Sequence, residues 1–90
     1  MKPVDRLLAT ARAEIGYIEK ETNAHLDDKT ANAGDGNWNK YARDLDALGV
    51  VYNSKKNGYA WCDIFTDWCF IQTFGLELGL QLLCQAKKGV

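Results

Sequence analysis

The segment over residues 59–74 constrains this chain most. Trp61, Ile64, Phe65, Trp68 and Ile71 recur at helical spacing, and Asp63, Thr66 and Asp67 make only a narrow polar strip. A helix apolar on most of its circumference has to be buried, so the segment predicts a central helix. Ninety residues allow one domain around it. A chain this short buries only ~60–65% of the surface its unfolded form exposes, which leaves a thin margin of stability. At 47% hydrophobic residues it is nonetheless no disordered tail.

Two further helices precede the central one in sequence, and a fourth follows it. Val4, Leu7, Leu8, Ala11 and Ile15 predict a helix over residues 3–15. Pro3 suits its first turn, where the missing N–H costs nothing, and Gly16 is its expected stop. Trp38, Tyr41, Ala42, Leu45 and Leu48 predict a second helix, capped by Asp35 or Asn37 and closed by Gly49. Val50, Val51 and Tyr52 read as a short extended piece. After Gly75, the residues Leu76, Leu80 and Leu83, with Leu78 and Leu82, predict a helix that ends at Lys87, Lys88 and Gly89.

Residues 19–37 differ in kind. Leu26 is their one large aliphatic residue, among the turn-formers Asn23, Asp27, Asp28, Asn32, Gly34, Asp35 and Gly36. The expected fold class is mainly α, with four helices, one long polar loop and almost no sheet. Loops of this length are usually functional or disordered.

Bulk properties exclude several functions. The net charge of −1 offers no field for nucleic acid or an anionic membrane. The N-terminus has no apolar run of the secretory kind, so a cytoplasmic origin is expected. Asp63 and Asp67 interrupt the most apolar stretch early, which rules out a membrane span there. The cysteines number three, Cys62, Cys69 and Cys84, an odd count that argues against a secreted disulfide framework. Cys62 and Cys69 on one helix would lie ~10 Å apart along its axis, too far for a disulfide. His25 is the one histidine, so a structural zinc site lacks ligands.

Cys62 follows Asn57 and Gly58 closely, which puts its sulfur in the first turn of the central helix. Outward N–H groups and the positive end of the helix dipole favour a thiolate there, and backbone donors lie near for an oxyanion. The other reading is a small buried hydrophobe, the usual role of a cysteine without a disulfide.

The run Gly58-Tyr59-Ala60-Trp61-Cys62-Asp63-Ile64-Phe65-Thr66-Asp67-Trp68-Cys69 resembles the nucleophile helix of CHAP-type cysteine amidases and peptidases, neighbours of the NlpC/P60 group. Those are cell-wall hydrolases, often phage endolysins. The stretch Ala11-Arg12-Ala13-Glu14-Ile15-Gly16-Tyr17 resembles the first helix of that group and its exit. Asn37-Trp38-Asn39-Lys40-Tyr41-Ala42-Arg43 resembles the second. The likeness runs from Ala11 to Gln85.

The resemblance implies a papain-like α+β domain acting on peptidoglycan peptides. Cys62 would attack a carbonyl, its own backbone N–H contributing to the oxyanion hole, and a histidine on a later strand would take the proton. The sequence departs from that pattern by reaching Val90 before any such strand. The expectation is therefore a partial domain over residues 1–90, the helical half, inactive alone. His25 precedes Cys62, opposite to the family order, though triads recur in several chain orders. An exposed apolar face, and self-association through it, would follow from a missing sheet.

Other residues carry weaker expectations. Trp61, Tyr17 and Tyr59 could line a substrate groove, with core or rim the plainer role. Asp63 supports the helix start. Asp27, Asp28 and Asp35 lie in an oxygen-rich loop, and some CHAP domains hold calcium. The EF-hand pattern fails here, because Ala33 and Asn39 stand where Gly and Glu are needed, so no cofactor is expected and the loop reads as solvated turns. Cys69 and Cys84 read as buried and inert. The rival to the enzyme reading is a small self-contained helical interaction protein with Cys62 in its core.

Overall fold

The computed structural model describes residues 2–88, with side chains as far as Cys84. It is mainly helical, with α1 (Pro3–Arg12), α2 (Lys40–Leu48), α3 (Cys62–Phe74) and α4 (Leu76–Lys88). No strand forms among the described residues; isolated bridges pair Lys20 with Ala33 and with Trp38. The expected Gly89 stop lies outside the described residues. No described helix is long and apolar enough to cross a membrane. The chain divides into two compact units, one of residues 1–15 and 66–90, the other of residues 16–65.

In the first unit, α1 starts at Pro3, and the Lys2 carbonyl accepts the N–H groups of Asp5 and Arg6. The helix ends at Arg12 instead of residue 15, and residues 13–16 form turns. Its apolar face is not a core face: Val4 is 56% and Leu8 44% exposed, and no residue of α1 is buried. Arg6 donates to the Thr73 carbonyl (3.0 Å) and lies over the Phe74 ring, while Thr73 donates to the Thr10 hydroxyl (2.7 Å). Trp68, Cys69, Ile71 and Leu83 are buried. Asp67 is buried with them, at 4% exposure, whereas Asp63 and Thr66 of the same polar strip are exposed. A Cβ at Gly79 would stand 2.9 Å from the Ile71 Cα, so only glycine lets α4 approach α3 this closely. Cys84 is exposed, against the expectation that it is buried.

In the second unit, α2 begins two residues later than the nearer expected cap. Asn39, fully buried and extended, accepts from Ala42 N (2.8 Å), and its amide donates to the Asn37 carbonyl (2.9 Å). Asn37 cannot serve as cap because it turns the chain at φ +62°. Gly49 closes α2 in the left-handed conformation, as its position predicts. Tyr41, Ala42 and Leu45 are buried on the inward face. Residues 50–52, read from sequence as extended, form bends instead, with Val50 65% exposed.

The polar segment over residues 19–37 is neither helix nor strand, yet it is closely bonded. Lys20 and Trp38 exchange backbone hydrogen bonds (2.7 and 3.2 Å), Glu21 N donates to Asn32 O, and Gly34 N donates to Glu19 O. The Glu19 carboxylate accepts from Asn37 N (2.9 Å), and that of Glu21 from Asp35 N (3.1 Å). Any Cβ at Gly36 would collide with the Glu21 backbone, so the return strand of the loop needs glycine there. The Asn32 amide, at φ +56°, donates to the carbonyls of Thr22 and Ala24. Side-chain acceptors thus replace the ladder that a sheet would have supplied.

Lys20 is the exception to this satisfaction. Its side chain is fully buried, and its Nζ has no hydrogen-bond partner among the described residues. The ammonium lies 4.8 Å from the centre of the Tyr17 ring, an interaction that offsets part of its desolvation. Lys20→Met keeps the packed volume and removes the buried polar atom, so it should leave stability unchanged within about 1 kcal/mol or raise it. Asn39→Ala should lower stability by about 1–3 kcal/mol through loss of a buried cap. Urea unfolding of both variants checks the pair, and a Lys20→Met loss exceeding that of Asn39→Ala contradicts it.

Candidate functional site

The cysteine helix is seated by the chain that precedes it. Both carboxylate oxygens of Asp46 on α2 accept N–H groups from Lys56 (2.9 and 3.0 Å), and Oδ2 also takes that of Asn57 (3.0 Å). Asn57 Oδ1 in turn accepts from Asn39 N (3.0 Å). Gly58 then reverses the chain at φ +94° with its Cα side against the Trp38 indole, where a Cβ would stand 3.2 Å from the ring. These bonds hold residues 56–58 to the start and the body of α2.

Trp61 immediately precedes α3, and its carbonyl accepts from Phe65 N (2.9 Å), the first bond of the helix. Its ring stacks on Tyr41 (5.6 Å between centroids, 21° between planes) and meets Tyr17 and Phe65 edge-on, at 6.4 and 6.5 Å. Tyr17 also lies 4.8 Å from Tyr41. The Tyr17 hydroxyl donates to the Leu26 carbonyl (2.6 Å) and accepts from Lys40 N (2.9 Å), tying the polar loop to the first turn of α2. The Lys40 ammonium faces both tyrosine rings.

Cys62 is the first residue of α3 and is exposed. Asp63 follows it, exposed in the first turn, where a carboxylate complements the helix dipole. The expected residues therefore separate by place. Trp61 and Tyr17 come together in one aromatic cluster beside Cys62, both half-buried. Tyr59 stands outside that cluster, 67% exposed. His25 is exposed in the loop at φ +56°, its carbonyl accepting from Asp28 N.

Of the three carboxylates considered for calcium, those of Asp27 and Asp28 serve other partners. Asp27 receives the Arg43 guanidinium through both oxygens (2.7 and 3.0 Å), a bond that holds its carboxyl below the usual range. Asp28 Oδ1 accepts from Thr30 N and Ala31 N, and these backbone donors lower it likewise. Asp35 is joined to the loop by its own N–H, given to Glu21. No group of three or more metal-ligating side chains occurs among the described residues.

Cys69 contrasts with Cys62 on the same helix. It is buried, and burial, followed by the nearby Glu14 carboxylate, pushes its thiol up to about 11. No disulfide joins any of the three cysteines. The residues that sequence reasoning missed are the supports: Tyr41, Asn39, Asp46 and Lys40. Tyr41 and Asn39 sit on or beside an ordinary amphipathic helix, and nothing in their spacing marks them as partners of Trp61 or Asn57. No protein-family model, curated protein or solved structure matches the chain.

Two outcomes follow for the thiols. Iodoacetamide should modify Cys62 and Cys84 in the folded protein and Cys69 only after denaturation, which peptide mass mapping reads directly. The raised Cys69 thiol contributes stability that is present below the unfolded value of 9.0 and is lost as pH rises toward about 11. Thermal unfolding should therefore fall more steeply across that range in the native chain than in Cys69→Val.

Proposed function

We propose that the chain carries the nucleophile of a CHAP-type cysteine amidase or endopeptidase that cleaves peptide bonds of peptidoglycan in the cell wall. The observation that carries this reading is an exposed cysteine at the first position of a helix whose start is fixed by a stacked tryptophan. The sequence likeness around Trp61 and Cys62 supplies the reaction class. Exposure at that position supports a nucleophile over a core cysteine, and so favours this reading over the helical interaction protein.

In the reaction the Cys62 thiolate attacks the amide carbon, forming the C–S bond and an oxyanion. The first turn of α3, including the Cys62 N–H, stands where that oxyanion develops. The amine leaves with a proton from an acid, and water then releases the acyl group from sulfur. Trp61 and Tyr17 form the wall beside the nucleophile. In this reading the proton acceptor is a histidine on the sheet of a papain-like α+β domain, whose helical half these residues form. With His25 as its one imidazole, set in the polar loop, the chain in this reading reacts with an electrophile at Cys62 but does not turn over an amide.

The test separates covalent reactivity from turnover. A stem-peptide vinyl sulfone should label Cys62 in preference to Cys84, although both are exposed, and Cys62→Ala should abolish that labelling. Equal labelling of the two cysteines contradicts the reading. A peptidoglycan zymogram should show no clearing by the purified chain, and clearing that disappears in Cys62→Ala would overturn the inactivity claim. If His25 were the base, His25→Ala would remove the same clearing.

A further inference from the structure

The second unit contains a cavity of about 480 Å³ apart from the Trp61 cluster, lined by Trp38 and Tyr59, by Asn23 and Asn57, and by charged groups of α2 and the following segment. That volume falls within the range of small-molecule sites, roughly 300–1,000 Å³. Its charges decide what it can hold. Arg43 enters the lining, but its guanidinium is occupied by Asp27 and Asp44 (2.7–3.0 Å). Asp46 spends its carboxylate on Lys56 N and Asn57 N, and Lys55 lines the same cavity. The cations Arg43 and Lys55 are outnumbered by Asp27, Asp44 and Asp46, so no net positive charge is left to draw a phosphate or a carboxylate, and Asp46, the one carboxylate in the lining, makes no acidic pair for a cation.

What remains available is neutral. The Asn23 amide and the Tyr59 hydroxyl make no side-chain hydrogen bond among the described residues, and the Asn57 amide donors are uncommitted while its Oδ1 serves Asn39. Amides and a phenol both donate and accept, which suits hydroxyl and acetamido groups. Trp38 and Tyr59 add aromatic rings whose electron-rich faces attract the polarised C–H face of a pyranose. Tyr59, a large aromatic in that lining, is 67% exposed.

We infer that this cavity is a binding site for a neutral pyranose oligosaccharide, with Tyr59 and Trp38 as ring platforms and Asn23 and Asn57 as hydroxyl partners. The ligand class comes from the cavity alone and stands whether or not Cys62 cleaves an amide.

The test is a titration of the full chain with chitotriose, followed by ¹H–¹⁵N NMR. Shifts should concentrate on the Trp38 indole N–H, the Asn23 and Asn57 side-chain amides and the Tyr59 backbone. Tyr59→Ala, which alters an exposed side chain, should weaken binding at least about tenfold, and Asn23→Ala should weaken it several-fold. Cys62→Ala should bind as the native chain does, which separates this site from the nucleophile. Absence of shifts up to about 10 mM sugar would overturn the inference, since that is weaker than any useful site. So would undiminished binding by Tyr59→Ala, or shifts at these residues with an alanyl-glutamyl-lysine peptide but not with the sugar.

Discussion

The Tyr17 hydroxyl holds the second unit together at its least regular point. It gives its proton to the Leu26 carbonyl and takes the Lys40 N–H. One oxygen therefore serves both the carbonyl of buried Leu26 in the loop and a backbone donor at the start of α2, where N–H groups have no acceptor within the helix. The ring beneath it touches Tyr41, Trp61 and the Lys20 ammonium. A phenol can do both jobs because its apolar body packs while its tip bonds. It adds a tie to α2 to the hydrogen bonds that the polar segment makes within itself and to Arg43, and these together are set against the entropy of ordering the segment, at about 1–2 kcal/mol per residue.

From that anchor the arrangement runs toward the cysteine by contact. Tyr17 meets Tyr41, Tyr41 stacks on Trp61, and Trp61 is the residue that α3 starts from. A parallel polar route runs from Asn39 through Asn57 and Asp46 to the turn before Cys62. Both routes end within a few residues of the thiol, one apolar and one hydrogen-bonded. The cysteine is exposed, but the backbone that presents it is held from two sides. That combination of an accessible atom on a fixed mount is what a nucleophile requires.

Helical spacing made all four helices legible, because the period of their apolar residues is a local property. Their ends were less so. Asn39 caps α2 in place of Asp35 or Asn37, since Asn37 is already committed to a left-handed turn. Cys62 opens α3 three residues after the apolar run begins: the chain reaches it through a turn in which Lys56 and Asn57 are bonded to Asp46 and Gly58 stands at φ +94°. The sequence showed residues 19–37 to be a loop but not that it is folded: Glu19 and Glu21 cap backbone N–H groups fourteen to eighteen residues away, and such pairings have no sequence period. The burial of Lys20 and Asp67 was equally illegible, since both are charged types that ordinarily face water. At the candidate site, Cys62 and Trp61 could be read from position and pattern, whereas Tyr41 and Asp46 act through tertiary contacts.

The central claim is that residues 19–37 form a fixed scaffold bonded to the start of α2, on which the cysteine's mount depends. Native-state hydrogen exchange of the Lys20 and Trp38 amides tests it most directly, because those two groups exchange bonds across the neck of the loop. Protection of both amides comparable to that of Leu45 in α2 is the result this account predicts. Exchange of both at the rate of an unstructured peptide, while Leu45 stays protected, would contradict it.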